Sequence, residues 1–184
     1  MTKAEETGAR RLPPGSHGIP ADVVARNQRE RLVAAMAEEC AEKGYAELSV
    51  PAVAKRAGVS SATFYKQFAG KGDCLLAAHR QLLGRLLEEV DRADGTAAMI
   101  HTALALFAAD PPSARLLTVE ILAVGTEGAK RHDTMVEAFA ERLGTDWVRA
   151  AGMLALVGKL VVAGEAERLP EFEDELVTTV SAQS

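Results

Sequence analysis

Apolar residues return every three or four positions along most of this chain, the spacing that gathers them on one face of an α-helix. Over 29–45, Leu32, Val33, Met36, Ala37 and Cys40 form such a face, and Gly44 ends it. Val50, Val53, Ala54 and Ala57 repeat the pattern in a shorter helix. Ser49 stands at its N-cap and Pro51 in its first turn, where a missing N–H is tolerated. Gly58 breaks that helix, Val59 drops back to the core, and Ser60 starts the next, whose inner face carries Phe64 and Phe68. A long helix is predicted from Lys71 or Asp73 through Val90, along Leu75, Leu76, His79, Leu82, Leu83, Leu86 and Leu87. After a boundary at Asp94-Gly95-Thr96, helices are predicted over 97–109, 111–124, 129–143, 146–164 and 171–182. No sustained two-residue alternation of β-branched residues appears, so the predicted fold class is all-α.

The helix containing Trp147 to Val162 is apolar almost all round, with Lys159 its one charge after Arg149. Such a helix has to be buried on most faces. Gly152, Gly158 and Gly164, with Ala151 and Ala155, form small-residue stripes that let another helix come close.

The stretch 49–71 carries the most information about function. Two short helices around a tight turn leave Ser61, Ala62, Thr63, Tyr65, Lys66 and Gln67 outside or at the margin. Hydroxyls and a lysine can bond phosphates or base edges, and Ala62 and the Thr63 methyl suit a thymine methyl. The same αα-hairpin also occurs as plain packing in helical bundles.

The order Val53-Ala54, Ala57-Gly58-Val59-Ser60, Thr63-Phe64-Tyr65, Phe68 and Lys71 resembles the amino-terminal domain of the TetR/AcrR family of bacterial transcription regulators. The segment from Arg29 to Tyr45 is similar to that family's first helix, and the resemblance extends over about residues 26 to 85. It implies an amino-terminal three-helix helix-turn-helix domain joined to a helical regulatory and dimerisation domain. Ser49 and Ser60 would cap the second and third helices near phosphates, and Tyr65 and Lys71 would bind the DNA backbone. Ser61, Ala62, Thr63 and Lys66 would face bases or flanking phosphates. The last two long helices would pair with those of a second copy, giving a homodimer whose heads stand about 34 to 36 Å apart over a palindromic operator in double-stranded DNA. Three departures stand out: Ala62 where glycine is common, Gln67 where histidine is frequent, and Gly70 and Gly72 around Lys71, which predict a soft start to the fourth helix.

Charge divides along the chain in the same sense. The net charge is −5, yet residues 1–72 carry eleven Lys and Arg against eight Asp and Glu, and the remainder carries ten against eighteen. A mildly basic head on an acidic body suits local attraction to phosphate, and ordinary surface variation gives the same pattern. The predicted division is a flexible arm over 1–21, the DNA-binding domain over 22–72, and a ligand-sensing and dimerisation domain over 73–184. Arg10 and Arg11 of the arm suit an adjacent minor groove. The first twenty residues lack the apolar core of a signal peptide, and no run of about 20 apolar residues could span a bilayer, so a cytoplasmic protein off the membrane is expected. Cys40 and Cys74 lack zinc-ligand spacing and read as buried free thiols, with a redox pairing as the alternative.

A small hydrophobic ligand in the body would meet Met99, His101, Phe107, Glu120, Phe139 and Trp147, with Leu104, Leu117, Met135 and Met153 nearby on the inward faces. Each has an ordinary core reading as well. Glu120, set among Leu116, Leu117, Val119, Ile121 and Leu122, needs a partner or solvent, which suggests a ligand or interdomain role. Nucleophile-elbow, phosphate-loop and HExxH patterns are absent, so no enzyme, cofactor or metal is expected. The sequence thus predicts a DNA-binding transcription regulator, a repressor released by a small-molecule ligand. The alternative is a helical protein-interaction module that uses the hairpin only for packing.

Overall fold

A computed structural model describes residues 20–181 of the chain. The arm, with Arg10 and Arg11, lies outside the described residues apart from its last two positions. Among the described residues the elements are helices α1 (Ala21–Glu47), α2 (Val50–Arg56), α3 (Ser61–Gln67), α4 (Lys71–Val90), α5 (Thr96–Ala109) and α6 (Pro111–Thr118), then a 3-10 segment Glu120–Val124. Helices α7 (Thr126–Leu143) and α8 (Trp147–Ala163), a second 3-10 segment Ala166–Phe172 and α9 (Glu173–Ser181) complete the described chain. The described fold is all-α, as the periodicity predicts.

Helix α1 starts eight residues before the predicted 29, because its opening turns bury little and so show no apolar face; Val23 there is exposed. The predicted helix 111–124 divides at Val119. The Thr118 hydroxyl donates back to the Ala114 carbonyl at 2.7 Å, a bond that competes with the helical ladder and bends the chain. The bend lets Leu116 and Ile121 reach one core while Leu117 stays in another. The predicted 171–182 helix is preceded by a 3-10 stretch that runs through Pro170 and buries Ala166 and Leu169.

Two cores result. The first joins Leu32, Met36, Cys40, Val53, Ala54, Phe64 and Phe68 to Leu116 and Ile121 from beyond the hairpin. The second contains Ile100, Leu104, Phe107, Leu117, Met135, Phe139, Met153, Leu154 and Val157. Helix α4 belongs to both, placing Cys74, Leu75 and Ala78 in the first and Leu86 and Val90 in the second. A rigid helix therefore joins the two bodies where a flexible linker would leave them independent. Cys40 and Cys74 are free and fully buried, and burial pushes both thiols up to about 12, so both stay protonated.

Two small residues permit close helix contact. A Cβ on Gly158 would meet Thr118 Oγ1 and Val119 Cγ2, both at 3.3 Å, so this glycine of α8 faces α6 of the same chain. A Cβ on Gly128 would lie 1.9 Å from the Ile121 carbonyl oxygen. Backbone, unlike a flexible side-chain tip, cannot swing aside, so Gly128→Ala is expected to lower unfolding stability by at least ~2 kcal/mol, read as a lower urea midpoint at unchanged slope.

His79 of α4 is buried, and its Nε2 has no partner among the described residues. Burial, reinforced by His132 and Arg131 of α7 and opposed by a hydrogen bond to the Leu117 backbone, lowers its pKa from 6.5 to about 4. The unfolded chain therefore binds a proton between those pH values that the folded chain refuses. Stability is fully present above pH ~6.5 and falls by roughly 3 kcal/mol as the pH drops to ~4. Urea titrations across this window should show that slope, and His79→Leu should remove most of it.

Candidate nucleic-acid interface

Helices α2 and α3 meet through the turn 57–60, where Gly58 has φ 64°, a left-handed conformation that residues with a Cβ resist. Arg31 of α1 holds the turn from behind. Its Nε donates to the Ala57 carbonyl at 2.9 Å and its Nη2 to the Ala57 and Gly58 carbonyls. Arg29, two residues earlier in α1, donates from Nη1 to the Gln67 carbonyl at 2.9 Å and stacks 4.2 Å from the centre of the Phe68 ring, closing the end of α3. Arg56 at the end of α2 reaches back to Glu38, Glu39 and Glu42 of α1. Glu39 is buried, and its bonds to Lys43 and Arg56 hold its carboxyl below the usual range despite that burial. The hairpin is thus fixed at its turn, at the end of α2 and at the end of α3, all from α1.

Phe64 is fully buried and contacts both Tyr65 and Phe68, ring centres 5.5 Å apart in each pair. Anchored this way, α3 turns the opposite face outward: Ala62 and Lys66 are exposed, Ser61 and Thr63 half-buried, and Tyr65 is 59% exposed. Ser60 caps α3, its Oγ accepting the Thr63 N–H at 3.0 Å, and remains exposed. Ser49 occupies the N-cap of α2 and is exposed, but its hydroxyl makes no capping bond. Lys55, exposed in the last turn of α2, adds a cation that the sequence reading did not single out.

Lys71 departs from the role that the family resemblance implies. Its Nζ donates to the carbonyls of Tyr45 at 3.0 Å, Leu48 at 3.2 Å and Ala46 at 3.4 Å, and sits 4.5 Å from the centre of the Tyr45 ring. An ammonium has three donors, and all three are committed to the chain end of α1. Lys71 is here a cap of α1 instead of a free phosphate ligand. The start of α4, expected to be soft, has Asp73 accepting the Ala69 N–H at 3.0 Å, and Gly72 leaves room for the Tyr45 hydroxyl, 3.2 Å from where its Cβ would be.

Glu120 joins the hairpin domain to the body. Its Oε2 accepts the Tyr45 N–H at 2.7 Å, just past Gly44, whose φ of 74° interrupts α1, and its Oε1 accepts Arg115 Nε at 2.8 Å. Arg115 also donates to the Ala41 carbonyl at 3.2 Å. The other five residues assigned to a ligand are not brought together around it. Phe107 and Phe139 pack in the second core with ring centres 6.4 Å apart. Met99 is half-buried on α5, while His101 is exposed and its Nδ1 lies 2.8 Å from Glu173. Trp147 is 46% exposed at the start of α8. Phe139, Met135 and Met153 fill the volume they were expected to line, and Phe107 packs with them while showing one edge to a hollow beside α4.

The chain matches the family described as bacterial regulatory proteins, tetR family, over residues 32–78. It is 33% identical over 61 residues to the fatty acid metabolism regulator protein of Bacillus subtilis (strain 168), a stretch covering 33% of this chain and 31% of that one. The chain therefore aligns with about a third of that relative's length. The fold resembles the fatty acid degradation regulator FadR of Bacillus halodurans at a TM-score of 0.70 and 20% identity, over 84% of this chain and 95% of that one. It resembles FadR of Bacillus subtilis in complex with stearoyl-CoA at a TM-score of 0.65 and 20% identity, over 84% and 98%. A transcriptional regulator from Rhodococcus sp. Rha1 gives 0.62 at 27% identity, over 83% and 93%.

Replacing Glu120 by Ala leaves the Tyr45 amide and Arg115 without their shared acceptor. The expected loss is ~1–3 kcal/mol of stability, with Glu120→Gln intermediate, measured by urea denaturation at pH 7.

Proposed function

We propose that this chain, which matches the tetR family of bacterial regulatory proteins over residues 32–78, is a member of that family and a sequence-specific DNA-binding transcription regulator: a homodimer that represses until a small apolar ligand releases it. The observation that carries the reading is the outward face of α3. Ala62, Tyr65 and Lys66 stand exposed beside Ser61 and Thr63, on a helix whose turn and far end are bolted to α1 by Arg31 and Arg29. Rigidity matters because base-edge recognition needs side chains placed to within a fraction of an ångström, while phosphate contacts from Ser49, Ser60 and neighbouring cations fix the register. The relatives named for fatty acid regulation, and the one solved with stearoyl-CoA, support a ligand of acyl character.

Helix α8 supports the dimer. Val148 is 73% exposed and Val162 59%, and Gly152, Ala155 and Ala163 lie exposed on the same helix. Lys159 is exposed on the same face and is its one charge; the stripe of small and apolar residues around it is suited to a second copy, whose identical stripe would meet it about a two-fold axis. With two heads in successive major grooves, a ligand needs only to bind better to an arrangement whose spacing does not fit, and the operator is released.

Selection from a randomised duplex library tests the reading. The parent is expected to enrich one palindrome, and the Tyr65→Ala/Lys66→Ala variant none. No enrichment by the folded parent at moderate salt would move the reading to a helical interaction module. Light scattering at micromolar concentration should give a dimer mass, and Val148→Glu/Val162→Glu a monomer mass; a monomeric parent would contradict the dimer.

A further inference from the structure

We propose that the groove between α1, α4 and the α5–α6 corner binds an amphipathic anion: a straight apolar tail ending in a carboxylate or phosphate. Its regulatory meaning rests on the reading above; the binding itself does not.

Three adjoining hollows, of about 570, 580 and 400 Å³, run along α4, and Arg85 lines all three. Each falls within the size range of small-molecule sites. The first is cationic, with Arg29, Arg80 and Arg85 around Gln81 against the single carboxylate of Glu88. Arg29 already spends one donor on α3, whereas Arg80 and Arg85 form no hydrogen bond or ion pair among the described residues. The two side chains leave α4 roughly 140° apart around its axis, and both line this one hollow, so the oxygens of a carboxylate or phosphate lying in it can meet a guanidinium from either side.

The third hollow is apolar in its depth, lined by Leu82, Leu86, Leu106, Phe107 and Leu117. The middle one joins them past Val33, Leu82 and Pro112. Carboxylates stand along this path as well, but most are occupied: Glu38 pairs with Arg56, Glu89 with Arg92, and Asp110 accepts the Ser113 N–H. Glu30 and Glu88 are the acidic groups at the rim for which no such partner is seen. A tail in the apolar end with its charge at Arg80 and Arg85 satisfies both ends at once, where a neutral lipid or a bare anion satisfies one.

The walls belong to different bodies. α1 carries the hairpin, while the α5–α6 corner and the second half of α4 belong to the ligand-sensing body. A molecule held between them has an affinity that depends on their relative placement, which is the thermodynamic requirement for coupling to DNA.

The test is calorimetric titration of the full chain with laurate, dodecyl phosphate, dodecanol and inorganic phosphate, each below any micelle-forming concentration. Laurate or dodecyl phosphate should bind at least about tenfold more tightly than dodecanol or inorganic phosphate, and the stronger of the two identifies the head group. Arg80→Gln/Arg85→Gln should bring laurate down to the level of dodecanol with the melting temperature unchanged, because both side chains are exposed and unpartnered. Gly84→Phe, at a site on the same wall where a Cβ meets no atom within 4 Å, should obstruct the groove and weaken laurate without disturbing the core. Equal affinity in parent and double-arginine variant, or no heat with either anionic probe, overturns the proposal. A chain that binds laurate but enriches no palindrome keeps the site and loses the regulator reading. One that enriches a palindrome and binds neither anionic probe keeps the regulator and loses the site.

Discussion

The end of α1 is where the structure has most to satisfy. A helix stopped at Gly44 leaves carbonyls and a following amide without partners in its own ladder, and buried backbone groups must be paired. Three different parts of the chain supply the partners. Lys71 from the start of α4 takes the carbonyls of Tyr45, Ala46 and Leu48, Arg115 of α6 takes that of Ala41, and Glu120 takes the Tyr45 amide. One short stretch of backbone thereby fixes where α4 begins and where the body sits on the hairpin domain.

This junction bears directly on how the two bodies could communicate. Helix α4 runs through both cores, so a tilt in one is carried to the other, while the Arg115–Glu120 pair gives a second, polar connection from α6 to α1. Two connections define a plane of movement better than one. The groove lined by Arg85 lies beside them, between α1 and α4, where an occupant would bias the angle between the bodies. The reading helix itself need not deform, because Arg29, Arg31 and Arg56 keep the hairpin attached to α1 as a unit.

Much of this was legible in the residues. The apolar positions of α1 to α4, the Gly58 turn, the Ser60 cap and the anchoring of α3 by Phe64 and Phe68 follow from local spacing and capping chemistry, which depend on neighbours within one or two turns. The outward placement of Ala62, Tyr65 and Lys66 follows from the same periodicity. The resemblance to the family over the hairpin also rested on local motifs, and the match over residues 32–78 falls within the stretch where it was seen.

What the sequence left open was settled by partners far apart in the chain. Spacing cannot show that Lys71 turns inward to α1, that Glu120 meets an amide 75 residues away, or that Arg29 and Arg31 hold α3 and its turn. Nor could it show that Phe139 fills the body core while Phe107, packed against it, also edges the open volume along α4. A long polar side chain can reach many acceptors, and an apolar one fills a core or lines a cavity with the same periodicity. The sequence by itself determined which faces are buried, because burial is set by helical period; only the tertiary structure decided which buried faces meet and which charges pair, because those depend on the mutual placement of helices that no local pattern encodes.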